Sequence, residues 1–271
     1  MSAAVKTLPA GMSVGLEEPS NVLNLYQAAA GVDAEEHVLE GARLAERSFL
    51  SSCDHVKAFA MLIRTPNRPS TALITVARGA IESAARSLWL IEDVPVGVYL
   101  HKVLSMLYAD LRHAADEEDA LVSVLGDRNV DANERRAYYA SEIKRLGLEP
   151  VKKPLLTDLV QRLIAETASS TDRGRLYSVY SSIAHGQLAG LNAFVENALD
   201  GSTPTLRAPL PVITSVTSQL LLAMKVVCES LVTWLGGQNA PRTRLFEAYE
   251  RVAFNLKDLP GSAFAPGSIP D

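Results

Sequence analysis

STALITVARGAIESAARSLWLIE, residues 70–92, is the stretch that decides the fold class. At the 3.6-residue period Leu73, Ala77, Ala80, Ala84 and Leu88 line one side of a helix, and Ile74, Ile81, Ala85 and Trp89 line another. Little of the circumference is left for water. The spacing therefore predicts a helix at the centre of the fold, with alanines that let neighbouring helices approach closely. Period-two alternation is absent here and along the rest of the chain, so no strand is expected.

Outward from this segment, Asp33 is a candidate N-cap, followed by Glu35 and Glu36 in a first turn. That helix runs to about Arg64, where Thr65-Pro-Asn-Arg-Pro69 stops it. After Pro95 a third helix reaches about Leu125, with Val103, Leu104, Met106, Leu107 and Leu111 on its apolar face and a solvated acidic run at 116–119. Asp131 and Asn133 are cap candidates for a helix ended by Gly147, and Thr157 for a short one to about Thr167. Ser170, Thr171 and Asp172 are cap candidates for a sixth helix reaching about Leu199, with Gly186 and Gly190 as points of interruption. A Pro-containing loop at 200–211 precedes a long apolar helix over about 212–235, closed by Gly236-Gly237, and a last helix over about 241–256. The fold class is all-α: a single helical bundle of seven to eight helices with no sheet. Residues 1–20 read as a flexible arm, 21–258 as one helical domain and 259–271 as a flexible tail.

The composition, 48% hydrophobic and 21% charged, is that of a soluble globular protein. Residues 70–91 and 212–235 approach membrane-span length. Arg78, Glu82 and Arg86 in the first, and Lys225 and Glu229 in the second, are costly in lipid, so both read as bundle helices and no membrane partner is expected. The N-terminus lacks the charged start and apolar run of a secretory signal, and a cytoplasmic location is expected. Cys53 and Cys228, far apart and without a Cys-x-x-Cys pair, read as buried thiols rather than zinc ligands. A net charge of −5 gives no general help in binding phosphate backbones, so nucleic acid ranks behind a small molecule as a partner.

Chemistry concentrates in two segments. In Tyr177-Ser-Val-Tyr-Ser-Ser-Ile-Ala-His-Gly186 and its continuation, Tyr177, Ser178, Ser181, His185 and Asn192 share one face of a continuous helix. In the second helix Arg78, Glu82 and Arg86, spaced four apart, form an Arg-Glu-Arg ladder. His185 is the candidate for acid/base work, because its ordinary pKa lies near neutrality. Glu82 either steadies an arginine or acts as a base, while Arg78 and Arg86 hold an anionic group, with Tyr177, Ser181 and Asn192 as hydrogen-bonding ligand contacts. The competing structural readings are an ion-pair network that fixes helix packing and a histidine satisfied by its own helix. His37, His55, His101 and His113 read as surface or boundary residues. No His-Glu-x-x-His, Glu-x-x-His, phosphate loop or dinucleotide fingerprint occurs, so neither a metal nor a cofactor is expected.

Arg78-Gly-Ala-Ile-Glu82, followed downstream by Tyr177, Ser181 and His185-Gly186, resembles bacterial helical proteins of the DUF5677-like or HEPN-like type. The likeness covers mainly the second and sixth helices. The wider HEPN superfamily includes metal-independent ribonucleases, whose signature is an arginine four to six residues from a histidine on one late helix. His185 matches the histidine. The arginine positions hold Ser178 to Tyr180, and the nearest upstream arginine is Arg175. Three functions follow as expectations: a pocket within the bundle for a small anionic ligand, with metal-free acid/base chemistry; a dimeric ribonuclease with Arg173, Arg175, Arg242 and Arg244 as its basic rim; and a non-catalytic scaffold in which the polar cluster only specifies packing.

Overall fold

The structure is a computed structural model that describes residues 21–65, 70–92, 94–116, 132–148, 154–167, 173–192, 194–196, 205–206, 208–236 and 239–260. The arm at 1–20, most of the acidic run at 116–119, the caps proposed at 131 and 170–172, and the tail from 261 lie outside these residues. The fold is all-α. The ten described helices are α1 (Asn21–Ala30), α2 (Glu35–Ile63), α3 (Ser70–Leu90), α4 (Val96–Asp116), α5 (Ala132–Arg145), α6 (Leu156–Thr167), α7 (Arg173–Ala184), α8 (Leu188–Asn192), α9 (Leu210–Trp234) and α10 (Asn239–Leu256). One detail departs from the expected absence of a sheet. Val195 pairs with Leu206 and Glu196 with Thr205 in a two-residue antiparallel ladder, too short to leave a periodic signal.

The chain forms two compact units interleaved in sequence: residues 1–44, 92–154 and 234–236, and residues 45–91, 155–233 and 237–271. The first boundary falls inside α2.

In the first unit α4 packs along α5. Leu104, Tyr139 and Ile143 are buried between them, with Leu107, Tyr108, Leu111, Leu146 and Leu148 around. Asp33 is not an N-cap: it takes a left-handed conformation (φ 51°) that closes α1, while Ala34 N–H donates back to the Ala29 carbonyl at 3.1 Å. Aspartate is one of the few non-glycine residues that adopt this conformation as a single residue, and Arg145 braces the turn by donating to the carbonyls of Val32 and Asp33, each at 3.0 Å. Gly41 is required by close approach, because a Cβ there would run into the Tyr99 hydroxyl and Val103.

In the second unit α3 is central and packs against α6 and α7. Its predicted apolar sides are buried, from Leu73 and Ile74 through Ala84, Ala85 and Trp89. Small polar residues fasten α2 to it: Ser52 Oγ donates to the Ala80 carbonyl at 2.8 Å and Ser87 Oγ to the Ala45 carbonyl at 3.0 Å. α9 is long and apolar enough to cross a membrane by length and composition. It buries Val216, Leu220, Ala223, Val227 and Leu231, and Gln219 accepts a 2.7 Å hydrogen bond from Tyr180. Thr157 is also not a cap, since α6 begins one residue earlier, at Leu156.

Candidate functional site

The second unit brings Arg78, Glu82, Tyr177 and His185 together. Arg78 and Glu82 lie one turn apart on α3, and Arg78 Nε donates to Glu82 Oε1 at 2.6 Å. Tyr177, near the start of α7 and buried, donates its hydroxyl to the same oxygen at 2.8 Å. The Arg78 guanidinium lies over the Tyr177 ring, 5.8 Å from its centre. Its Nη1 meets His185 Nε2 at 2.9 Å, a contact between residues 107 apart in the chain. Arginine has donors only, so in this contact His185 Nε2 is the acceptor. Burial pushes the Tyr177 hydroxyl upward, and its bond to the Glu82 carboxylate adds to the shift. For Arg78 burial acts downward, but the hydrogen bond and charge of Glu82 outweigh it and hold the guanidinium firmly cationic.

His185 reaches Arg78 because α7 ends there. Gly186 has φ 65°, and Gln187 N–H donates to the Ser182 carbonyl at 2.8 Å, the two marks of a glycine-closed helix end. His185 is therefore exposed on the turn beyond Ala184. Gly190 then lets α8 fold against α7: a Cβ there would lie 2.7 Å from the Ile183 nitrogen. This corrects the expectation of one continuous helical face. Asn192 sits on α8, beyond the break, exposed and outside the cluster. Ser181 is half-buried, and its hydroxyl makes no hydrogen bond among the described residues.

The Arg-Glu-Arg ladder forms only in its first half. Glu82 Oε1 is engaged by Arg78 and Tyr177, and among the described residues no ion pair or hydrogen bond links Arg86 to a partner. Arg86 remains half-buried on the same face of α3.

A polar network in the first unit was not anticipated. His37 reads from sequence as a surface or boundary residue, yet it is 2% exposed. Its Nδ1 lies 3.0 Å from Glu40 Oε2 and its Nε2 2.9 Å from Glu142 Oε2. Tyr139 donates to Glu40 at 2.7 Å and Arg145 to Glu142 at 2.7 Å. Two flanking carboxylates make both ring nitrogens donors, so His37 is an imidazolium. Burial acts to lower its pKa, but the hydrogen bonds and charges of Glu40 and Glu142 outweigh it and raise the value. The Arg145 hydrogen bond leads in drawing Glu142 down to about 2. The spacing His37-x-x-Glu40 is the one local signal for this network. Among the described residues no three His, Cys, Asp or Glu side chains converge as a metal ion requires.

Cys53 and Cys228 are half-buried free thiols. Burial, followed by the charges of Cys53 and Glu229, pushes Cys228 up to about 12.

No family model, curated protein or solved structure matches this chain.

Proposed function

We propose that the second unit binds a small anionic organic ligand and transfers a proton on it without a metal. Arg78 holds the anion, His185 moves the proton, and Glu82 with Tyr177 fixes the guanidinium. The observation that carries this reading is the 2.9 Å contact between Arg78 Nη1 and His185 Nε2. An anionic oxygen that takes the Arg78 N–H frees His185 Nε2 to exchange a proton with the bound ligand. The exposure of His185 leaves the pair reachable from solvent.

The test is a thermal-shift series with inorganic phosphate and citrate on the wild type, Arg78→Met and His185→Asn. Stabilisation of the wild type alone supports the site. Equal response by all three proteins rejects it and leaves the cluster a packing device.

A second reading draws on the same contact. The arginine missing from the late helix of the HEPN-type signature has a counterpart in Arg78, from α3. Metal-independent cleavage of a labelled oligoribonucleotide, lost in His185→Ala, would favour it. The net charge of −5 weighs against it.

A further inference from the structure

The face of α3 that carries Arg78 has a second wall. α7 covers its Arg78/Glu82 edge through Tyr177 and His185. α2 covers the opposite edge, where Ser51 Oγ meets Ser83 Oγ at 3.3 Å. One turn away, His55 lies against Gly79: an ideal Cβ on Gly79 would be 2.9 Å from His55 Nε2 and 3.0 Å from Cε1. A glycine inside a helix costs about 1 kcal/mol relative to alanine, and here it admits an imidazole ring to the helix backbone. Between these walls Thr75 is exposed and Arg78, Glu82 and Arg86 are half-buried, whereas Ile74, Ile81 and Ala85 on the adjoining face are buried.

Cations gather on this part of α3 in a protein of net charge −5: Arg78 contacts Glu82 and His185, His55 lies against Gly79, and Arg86 makes no ion pair or hydrogen bond among the described residues. Arg78 and Arg86 are two turns apart, about 12 Å along the axis at a rise of about 1.5 Å per residue. Side chains of their length can meet a ligand bound between them.

We propose that the ligand of this site is an organic phosphate lying along α3, gripped from both walls, with His55 as the second imidazole contact and Arg86 as the second guanidinium. The inference rests on the reading of Arg78 and His185 as an anion site, and it adds the ligand class and the opposite wall. Imidazoles on two sides of a phosphate can supply the two roles that ester chemistry needs, one taking a proton and the other giving one.

The experiment is a titration of the histidine-13C-labelled full chain with inorganic phosphate, followed by the Cε1 resonances. His55→Asn and His185→Asn identify the two signals by their loss. Both signals are expected to move along one binding isotherm, and Arg86→Met is expected to weaken it about tenfold, the worth of one hydrogen bond to a charged group. Gly79→Ala places a methyl where the His55 ring lies, so it should abolish the His55 response and keep that of His185. If His185 moves and His55 does not, the second wall is wrong while the single-histidine site stands. If neither moves, both readings fall.

Discussion

Replacing His37 by leucine should destabilise the first unit by about 3 kcal/mol. His37 is 2% exposed and its two ring nitrogens are held by Glu40 and Glu142 at 3.0 and 2.9 Å. A hydrogen bond to a charged group contributes about 1.5–3 kcal/mol, so losing two removes about 3–6 kcal/mol. The carboxylates keep 24% and 13% of their exposure, so water recovers part of the loss and the lower end applies. The sign of the pH dependence follows from the shifts. The folded His37 pKa is raised above 6.5, so its contribution is complete below 6.5 and is lost as pH rises through the folded value. Glu142, lowered from 4.5 to about 2, contributes fully above 4.5, and this is lost as pH falls through about 2. The network is therefore at full strength between 4.5 and 6.5. Guanidinium unfolding at pH 6 and pH 9, with amide exchange in α5 to localise the effect, measures both. The wild type should weaken on going to pH 9 and His37→Leu should not. A loss below about 1 kcal/mol, or the same pH dependence in both proteins, would show that the imidazolium assignment is wrong.

Gly186→Ala forces a side chain into the left-handed region and should lower stability by about 1–2 kcal/mol, read from the denaturant midpoint. It should also weaken phosphate binding by displacing His185. Tyr177→Phe removes one hydroxyl from Glu82 and should cost about 1 kcal/mol, while leaving Arg78 paired to the carboxylate. With its pKa near 12, the Cys228 thiol stays protonated at pH 8, so reaction with a chromogenic disulfide should be at least about tenfold slower in the native protein than in guanidinium.

The fold class was legible because α3 is apolar almost all round, a pattern only a central helix satisfies. Gly147 and Gly236 marked true helix ends, each with a left-handed φ. The ends that were misread share a cause. Asp33 and Thr157 are cap-type residues, but local preference cannot tell a cap from a residue just outside or just inside a helix. The division into two units left no trace, because its first boundary, Leu44/Ala45, lies in mid-helix. In the site, four-residue spacing found Arg78 with Glu82, and helical spacing grouped Tyr177 with His185. Their meeting is tertiary and no local pattern encodes it. Asn192 was misplaced because the spacing was carried through Gly186 as though the helix continued. His37 reads as a surface or boundary residue from sequence because its partner Glu142 is distant in the chain.

Arg78 and His185 are proposed to hold an anion together. Calorimetric titration of the protein with inorganic phosphate measures that binding directly. The expected result is binding by the wild type that is weakened at least about tenfold in both Arg78→Met and His185→Asn. Binding unchanged by either substitution would contradict the pairing of His185 with Arg78 as a functional unit.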